Sequence, residues 1–439
     1  MEPVDLLIDA RWIVPVEPAG TVLEHHSVAV LAGKIHAVLP SSEAAQRFDA
    51  RECVKLDTHA LIPGLVNVHT HAAMTLMRGL ADDLPLMRWL TEHIWPAEAK
   101  HVSHAFVRDG TLLACAEMLQ GGVTCMNDMY FFPEASAEAA LRAGMRAALG
   151  LIAIEFPTAY AAGADEYLNK GLTLRDQLRH EELLSFCLAP HAPYTVNDAT
   201  LTRIAGYAAE LGLPVHIHLH ETAHEIADTG NAFGRAGERP LARLHRLGLV
   251  NPQLIAVHAV HLDAQDIALL AKYGASVAHC PASNLKLASG IAPIAALLDA
   301  GVNIGIGTDG AASNNRLDMF AEMRLAALLA KGASGRADVL PAHAALRAAT
   351  LAGARALGLE VRIGSITPGK CADLTAVNLG KIELVPVYDP VSHLVYAAAR
   401  SDVSDVWVNG KHVVKKQQLA WIEKEELESI ALMWQNRFK

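Results

Sequence analysis

The chain has 439 residues, more than one small domain needs, and a hydrophobic content of 52% against 19% charged supplies a large core. A formal net charge of −10 with no basic run argues against nucleic acid as the main partner. No apolar run reaches membrane-spanning length and no charged-then-apolar leader opens the chain at Met1-Glu2-Pro3-Val4-Asp5; six scattered cysteines without a C-x-x-C pair read as the reduced thiols of a cytoplasmic protein.

Residues 1 to about 60 read as β, in short apolar runs at Val4–Ile8, Trp12–Val14, Ser27–Val30 and Lys34–Leu39, with a hairpin turn at Ala32-Gly33. From Leu61 the pattern changes to buried strands alternating with helices. Eight candidate strands follow: Leu61 to His71, Gly121 to Asp128, Ala147 to Ile154, Leu184 to His191, Pro214 to His220, Leu254 to His258, Ala275 to His279 and Val302 to Asp309. Helical stretches such as Phe106 to Leu119, Ala199 to Glu210 and Asp263 to Tyr273 separate several of them. Eight β-α units predict a (β/α)8 barrel whose parallel sheet is buried on both faces. Near Thr367 the chain returns to β, with a hairpin on Asn409-Gly410, and Ile422 to Phe438 reads as a closing helix. The expected organisation is a barrel over residues 61–367 beside a small β-sandwich built from residues 1–60 and 368–439. The apolar surfaces of both parts make a homo-oligomer the expected assembly.

In such a barrel the site lies at the C-terminal ends of the strands. His69, His71, Asp128, His191, His218, Glu221, His258, His279 and Asp309 all fall there. His69 and His71 stand at i and i+2, so an extended strand aims both imidazoles to one side, which suits a divalent metal. With His218 and Asp309 they give three histidines and one carboxylate, leaving a position for water, as a catalytic mononuclear site requires. His258 is either a fourth imidazole ligand or the group that holds the water. His216 and His220 flank His218 at the same period, so spacing leaves the choice among the three open. Glu221 is either a proton shuttle or the N-terminal acid of the next helix. Read from the residues alone, Glu98 is a surface acid, Trp89 a core or rim residue, and Ser283 and Asn284 shape a loop.

Four stretches are specific: Pro63-Gly64-Leu65-Val66-Asn67-Val68-His69-Thr70-His71, His216-Ile217-His218-Leu219-His220-Glu221-Thr222, Pro281-Ala282-Ser283-Asn284-Leu285-Lys286-Leu287 and Gly307-Thr308-Asp309-Gly310-Ala311-Ala312-Ser313-Asn314-Asn315. Through them nearly the whole chain resembles the amidohydrolase superfamily, and within it the methylthioadenosine/S-adenosylhomocysteine deaminases, near the triazine hydrolases and chlorohydrolases. The resemblance implies His69, His71, His218 and Asp309 as ligands of one divalent metal, zinc with iron as the alternative. It implies Glu221 as proton-transfer acid and His258, with Asp309, as the groups that position and deprotonate the water. It implies Glu98, His191 and Trp89 as contacts to a small nucleoside. Two-metal relatives carry a carboxylated lysine where His191 stands, which favours one metal.

The activity implied is hydrolytic deamination of an adenine nucleoside. The alternative is deamination or dechlorination of another heterocycle, such as a triazine, guanine or a pterin. A rival of another class, a non-catalytic scaffold on the same fold, is expected to have lost ligands. Homocysteine-accepting relatives carry an arginine where the resemblance places Leu151, so methylthioadenosine or adenosine is expected over S-adenosylhomocysteine.

Overall fold

Runs of apolar residues that alternate with helices have one way to hide both faces, and the chain takes it. The computed structural model describes residues 1–235 and 237–439, without the side chains of 228–232. The chain opens with β1 (Glu2–Ile13), β2 (Leu23–Leu31), β3 (Lys34–Pro40) and β4 (Phe48–Pro63). The eight buried runs follow as β5 (Leu65–Thr70), β6 (Val123–Met129), β7 (Arg146–Ala153), β8 (Leu184–Pro190), β9 (Val215–Leu219), β10 (Leu254–His258), β11 (Ser276–His279) and β12 (Asn303–Ile306). The chain returns with β13 (Leu374–Asn378), β14 (Val403–Val408), β15 (Lys411–Lys415) and β16 (Gln418–Leu419), then the helix Lys424–Phe438.

Strands β5 to β12 form one sheet in sequence order, with parallel neighbours throughout. Every residue of β5, β6, β7, β9, β10 and β11 is buried, as a sheet covered on both faces demands. The expected (β/α)8 barrel is present. Its first and last strands meet through side chains as well as backbone. Asp309 N–H donates to His69 O at 3.0 Å. Asn67 accepts from Thr308 N–H at 3.0 Å and donates to the Thr308 hydroxyl at 2.8 Å. A Cβ on Gly305 would stand 2.8 Å from Val68 and 3.2 Å from Gly353, so the helix Leu351–Ala356 lies hard against this seam.

The second sheet joins both chain ends in the order β16-β15-β14-β13-β4-β1-β2-β3. Both expected hairpins form, and they touch: a Cβ on Gly33 would lie 2.7 Å from Asn409 O. The sheet therefore folds across a core of Ile8, Val30, Leu374 and Trp407. The strand expected over Leu61 to His71 is cut in two. Leu61 and Ile62 pair with β13 in the second sheet, and the barrel strand begins at Leu65. Gly64 makes the switch, because a Cβ there would fall 2.1 Å from the Thr124 side chain. The closing helix starts two residues later than expected and docks through buried Trp434, which donates to Asp109 at 2.9 Å. All six cysteines are free and only Cys53 is exposed. Among the described residues no helix is long and apolar enough to cross a membrane.

Arg146, at the foot of β7, links the two sheets. Its guanidinium grips the Asp373 carboxylate bidentately at 2.9 and 3.1 Å and donates to Glu182 O at 2.9 Å. Both side chains are buried, so removing one leaves an uncompensated charge in the interior. Arg146→Met is expected to destabilise the fold by about 3–5 kcal/mol, seen as a lower denaturation midpoint with the slope unchanged.

Candidate active site

The seam between β5 and β12 delivers residues 240 positions apart to one point. His69 ends in the barrel interior, fully buried, and His71 follows just past β5. His218 comes from β9, His258 is the last residue of β10, and Asp309 stands three residues beyond β12. The His69 ring centre lies 4.7 Å from that of His71 and 4.9 Å from that of His218. One ligand atom from each of His69, His71 and His218 lies within 4.8 Å of the others, and the same holds for His69, His258 and Asp309.

Hydrogen bonds fix which ring nitrogen faces inward. His71 Nδ1 donates to Met129 O at 2.6 Å, and His218 Nδ1 donates to His191 O at 2.7 Å. His258 Nδ1 bonds Asn284 Oδ1 at 2.8 Å, and His69 Nδ1 meets His216 Nε2 at 3.0 Å. The three bonds to oxygen leave Nε2 of His71, His218 and His258 as the lone-pair nitrogen pointing to the centre, and His69, with Nδ1 taken up by His216, also turns Nε2 there. Burial lowers His69 to about 4 and His218 well below its ordinary value, so both are neutral near pH 7, as metal ligands must be. Asp309 receives hydrogen bonds from Ser283 at 2.6 Å and Ser313 at 2.8 Å on one oxygen, and from Gly310 N–H at 2.7 Å on the other. Burial pushes its carboxyl up, but the surrounding imidazoles, His69 first, hold it well below the usual range.

Does this cluster fit a divalent cation? His69 Nε2 is buried with no hydrogen-bond partner. It approaches Asp309 Oδ1 at 3.3 Å, as does His71 Nε2, but the His69 contact is not aligned as a hydrogen bond. An orphaned nitrogen in a buried, polar centre is costly unless something binds it. Four imidazoles and a carboxylate around one point fit a divalent cation.

The three histidines of β9 separate by layer. His216 points inward one layer below His218 and supports His69. His220 has left the strand: its φ is +56°, its Nδ1 lies 3.1 Å from His261 O, and its Nε2 accepts from Leu241 N–H at 3.0 Å. His258 and Asp309 also have left-handed φ values, +69° and +59°, so strain collects where the barrel strands stop. The two readings of Glu221 also separate. Thr222 caps the helix Ala223–Ala232, so Glu221 precedes the helix and Glu225 is its first-turn acid. Glu225 accepts from His220 N–H and Glu221 N–H at 2.9 and 2.8 Å, fixing the loop. Glu221 is buried, which raises its pKa, and its Oε2 lies 3.8 Å from His258 Nε2.

Above the cluster opens a cavity of about 650 Å³, lined by His71, His218, Glu221, His258 and Asp309 at its floor. His69 lies beneath. His191, Glu98 and Trp89 all line this cavity, against the surface reading of Glu98, while Trp89 is also part of the core beside it. Tyr130 donates to Glu98 Oε1 at 2.7 Å. Glu98 keeps partial exposure to the open cavity but is otherwise hemmed in, and burial pushes it up to about 7 against the pull of Tyr130. His191 is lowered to about 3 by burial and by the nearby His71 and His69.

Leu151 corrects an expectation. It is buried against Gly171, whose added Cβ would stand 3.0 Å from the Leu151 Cβ, so it faces the helix Ala164–Leu178 outside the barrel. Its neighbours Ile152 and Ile154 face the cavity. Arg146 points to Asp373, not to a ligand. Asp128 is structural, its two oxygens taken by Ala72 N–H and Ser136 at 2.8 Å each. His279 is buried outside the cavity lining. Sequence reasoning missed Asn284 as the partner of His258, Ser313 as a support of Asp309, and Tyr130. The first two lay inside motifs already singled out; Tyr130 carried only its place one residue past β6.

Fold and donor set together define a barrel hydrolase that holds a divalent cation under a substrate cavity. The chain belongs to the amidohydrolase family, whose model matches residues 60–413. It is 50% identical over 434 residues to the 5-methylthioadenosine/S-adenosylhomocysteine deaminase of Teredinibacter turnerae, covering 99% of this chain and 98% of that one. It is similar to a solved adenosine deaminase from Xanthomonas campestris with bound zinc, at 53% identity and a TM-score of 0.97 over 99% of both chains. The zinc complex of an atrazine chlorohydrolase from Arthrobacter aurescens shares the fold at 24% identity and a TM-score of 0.89, over 98% of this chain and 99% of that one.

Because His216 orients His69, His216→Ala is expected to weaken retention of a divalent cation about 10–100-fold, measured by competition with a chelator.

Proposed function

We propose that the protein hydrolytically deaminates an adenine nucleoside, with 5′-methylthioadenosine or adenosine preferred over S-adenosylhomocysteine. The observation that carries this reading is a single cavity with Glu221 beside the imidazole cluster at its floor and Glu98 and Trp89 along its wall. The names of the similar enzymes support deamination of an adenine nucleoside, without ranking the three substrates. The preference no longer rests on Leu151. It rests on the cavity lining, which among the described residues includes no arginine or lysine to pair an amino-acid carboxylate.

His69, His71, His218 and Asp309 would hold the metal, zinc by the donor set and by the zinc bound in the similar structures. When bound, a divalent cation makes hydroxide available near neutral pH. His258, steered by Asn284, and Asp309, steered by Ser283 and Ser313, orient the attacking water and take its proton. Glu221 donates a proton to the ring nitrogen beside the amino-bearing carbon, which makes that carbon electrophilic. Burial raises its pKa, which suits a group that must carry a proton near neutrality. The proton taken from the water passes to the amino group, which leaves as ammonia while the carbonyl forms and the hydroxyl proton restores Glu221. Glu98 accepts hydrogen bonds from the ribose hydroxyls, His191 contacts the nucleoside as a neutral imidazole, and Trp89 packs against it.

The test is ammonia release by metal-loaded protein with the three nucleosides side by side. Fast release from methylthioadenosine and adenosine and slow release from S-adenosylhomocysteine is the expected result. Release from none of them, with metal bound, would overturn the nucleoside reading in favour of another heterocycle. Glu221→Gln is expected to keep its metal and lose about 10²–10⁴-fold in kcat, the range for a removed acid-base group; near-normal turnover in that variant would remove Glu221 from the role.

A further inference from the structure

Glu98 sits on a short element outside the barrel. The helix Trp95–His101 has seven residues, none of them buried, and follows a π-helical turn, Trp89–Ile94. Among the described residues, the Tyr130 hydroxyl is the only hydrogen-bond partner of the Glu98 carboxylate. Tyr130, by contrast, is rigidly placed. It follows β6 directly, beside Met129, whose carbonyl accepts from His71. Its ring is 4% exposed, 5.3 Å from the ring of Phe131 and 6.4 Å from that of His71. A carboxylate on a long flexible side chain has rotamer freedom to lose on binding, and a fixed donor on one oxygen removes part of that cost beforehand.

We infer that Tyr130 is the positioning residue for Glu98: by holding Oε1 it turns Oε2 toward the ribose of a bound nucleoside. The inference rests on the nucleoside reading above and deepens it, by tying ribose recognition to the strand end that also fixes His71. The bond has a second effect in the same direction. It favours the ionised form of an acid that burial pushes up to about 7, and the ionised form is the stronger acceptor toward the hydroxyls of a diol.

The experiment compares KM and kcat of the metal-loaded wild type and Tyr130→Phe on adenosine and on 2′,3′-dideoxyadenosine, which lacks both ribose hydroxyls. Phenylalanine keeps the ring and its packing and removes only the donor. The expected result is a KM for adenosine raised about tenfold, kcat within about twofold, and a KM for the dideoxy compound that does not move. A merely structural role would change both substrates by the same factor, and that outcome overturns the inference, as does an unchanged KM for adenosine. If wild type itself treats the two substrates alike, the ribose role of Glu98 fails and the inference falls with it; wild-type discrimination that persists in the variant overturns the Tyr130 inference alone.

Discussion

The site depends on one closure. Asp309 N–H bonds His69 O across the seam between the first and last barrel strands, and Asn67 and Thr308 tie the same seam with two further bonds. Ordinary strand pairing brings neighbours in sequence together. Only closing the sheet brings β5 to β12, and so a carboxylate to within 3.3 Å of two imidazoles from the other end of the barrel segment. An open sheet with the same eight strands would leave His69 and Asp309 on opposite edges. The glycines at 305 and 353 serve this closure, since side chains there would collide with Val68 and Val66 and hold the seam apart.

Closure also dries the centre, and dryness governs its electrostatics. In water these imidazoles would titrate near neutrality. Buried among one another, His69, His191 and His218 are pushed into the neutral form. The same burial acts on the acids in the opposite sense, raising Glu221 and Glu98. One physical effect, desolvation of the charged form, thus favours neutral imidazoles and protonated carboxyl groups in the same dry centre. Asp309 escapes because the imidazoles, His69 first, hold its carboxyl well below the usual range, while Ser283, Ser313 and Gly310 N–H fix its oxygens.

Much of this was legible in the sequence because barrel chemistry sits where strands end, and strand ends can be read. Eight apolar runs, each ending in a histidine or a carboxylate or leading directly into one, located the floor of the site, and the H-x-H pair named its first two members. The rest required three dimensions. Period 2 put His216, His218 and His220 on one face, but it said nothing of depth, which separates the first two, nor of the left-handed turn that takes His220 away. Leu151 shows the reverse failure: a position matched along the chain need not match in direction, and in β7 it is Ile152 that looks inward. The break at Gly64 is likewise a clash with Thr124, a residue 60 positions away.

The two ends of the cavity are built on different principles, and this bears on what the fold can vary. At the floor, the lining groups are held by a barrel strand end, by the loop clamped through Glu225, or by a hydroxyl or amide bonded at 2.6–2.8 Å. The wall is built from Trp89, Glu98 and the chain around Phe156, on short elements outside the barrel. Precision to a fraction of an ångström is needed where protons move, and strands supply it. Recognition of the rest of a substrate tolerates more adjustment, so it can be carried by segments free to differ between relatives. Tyr130 matters in this light because it couples the two: it begins where β6 ends and reaches the one wall carboxylate, so the rigidity of the barrel extends a single hydrogen bond further than the barrel itself.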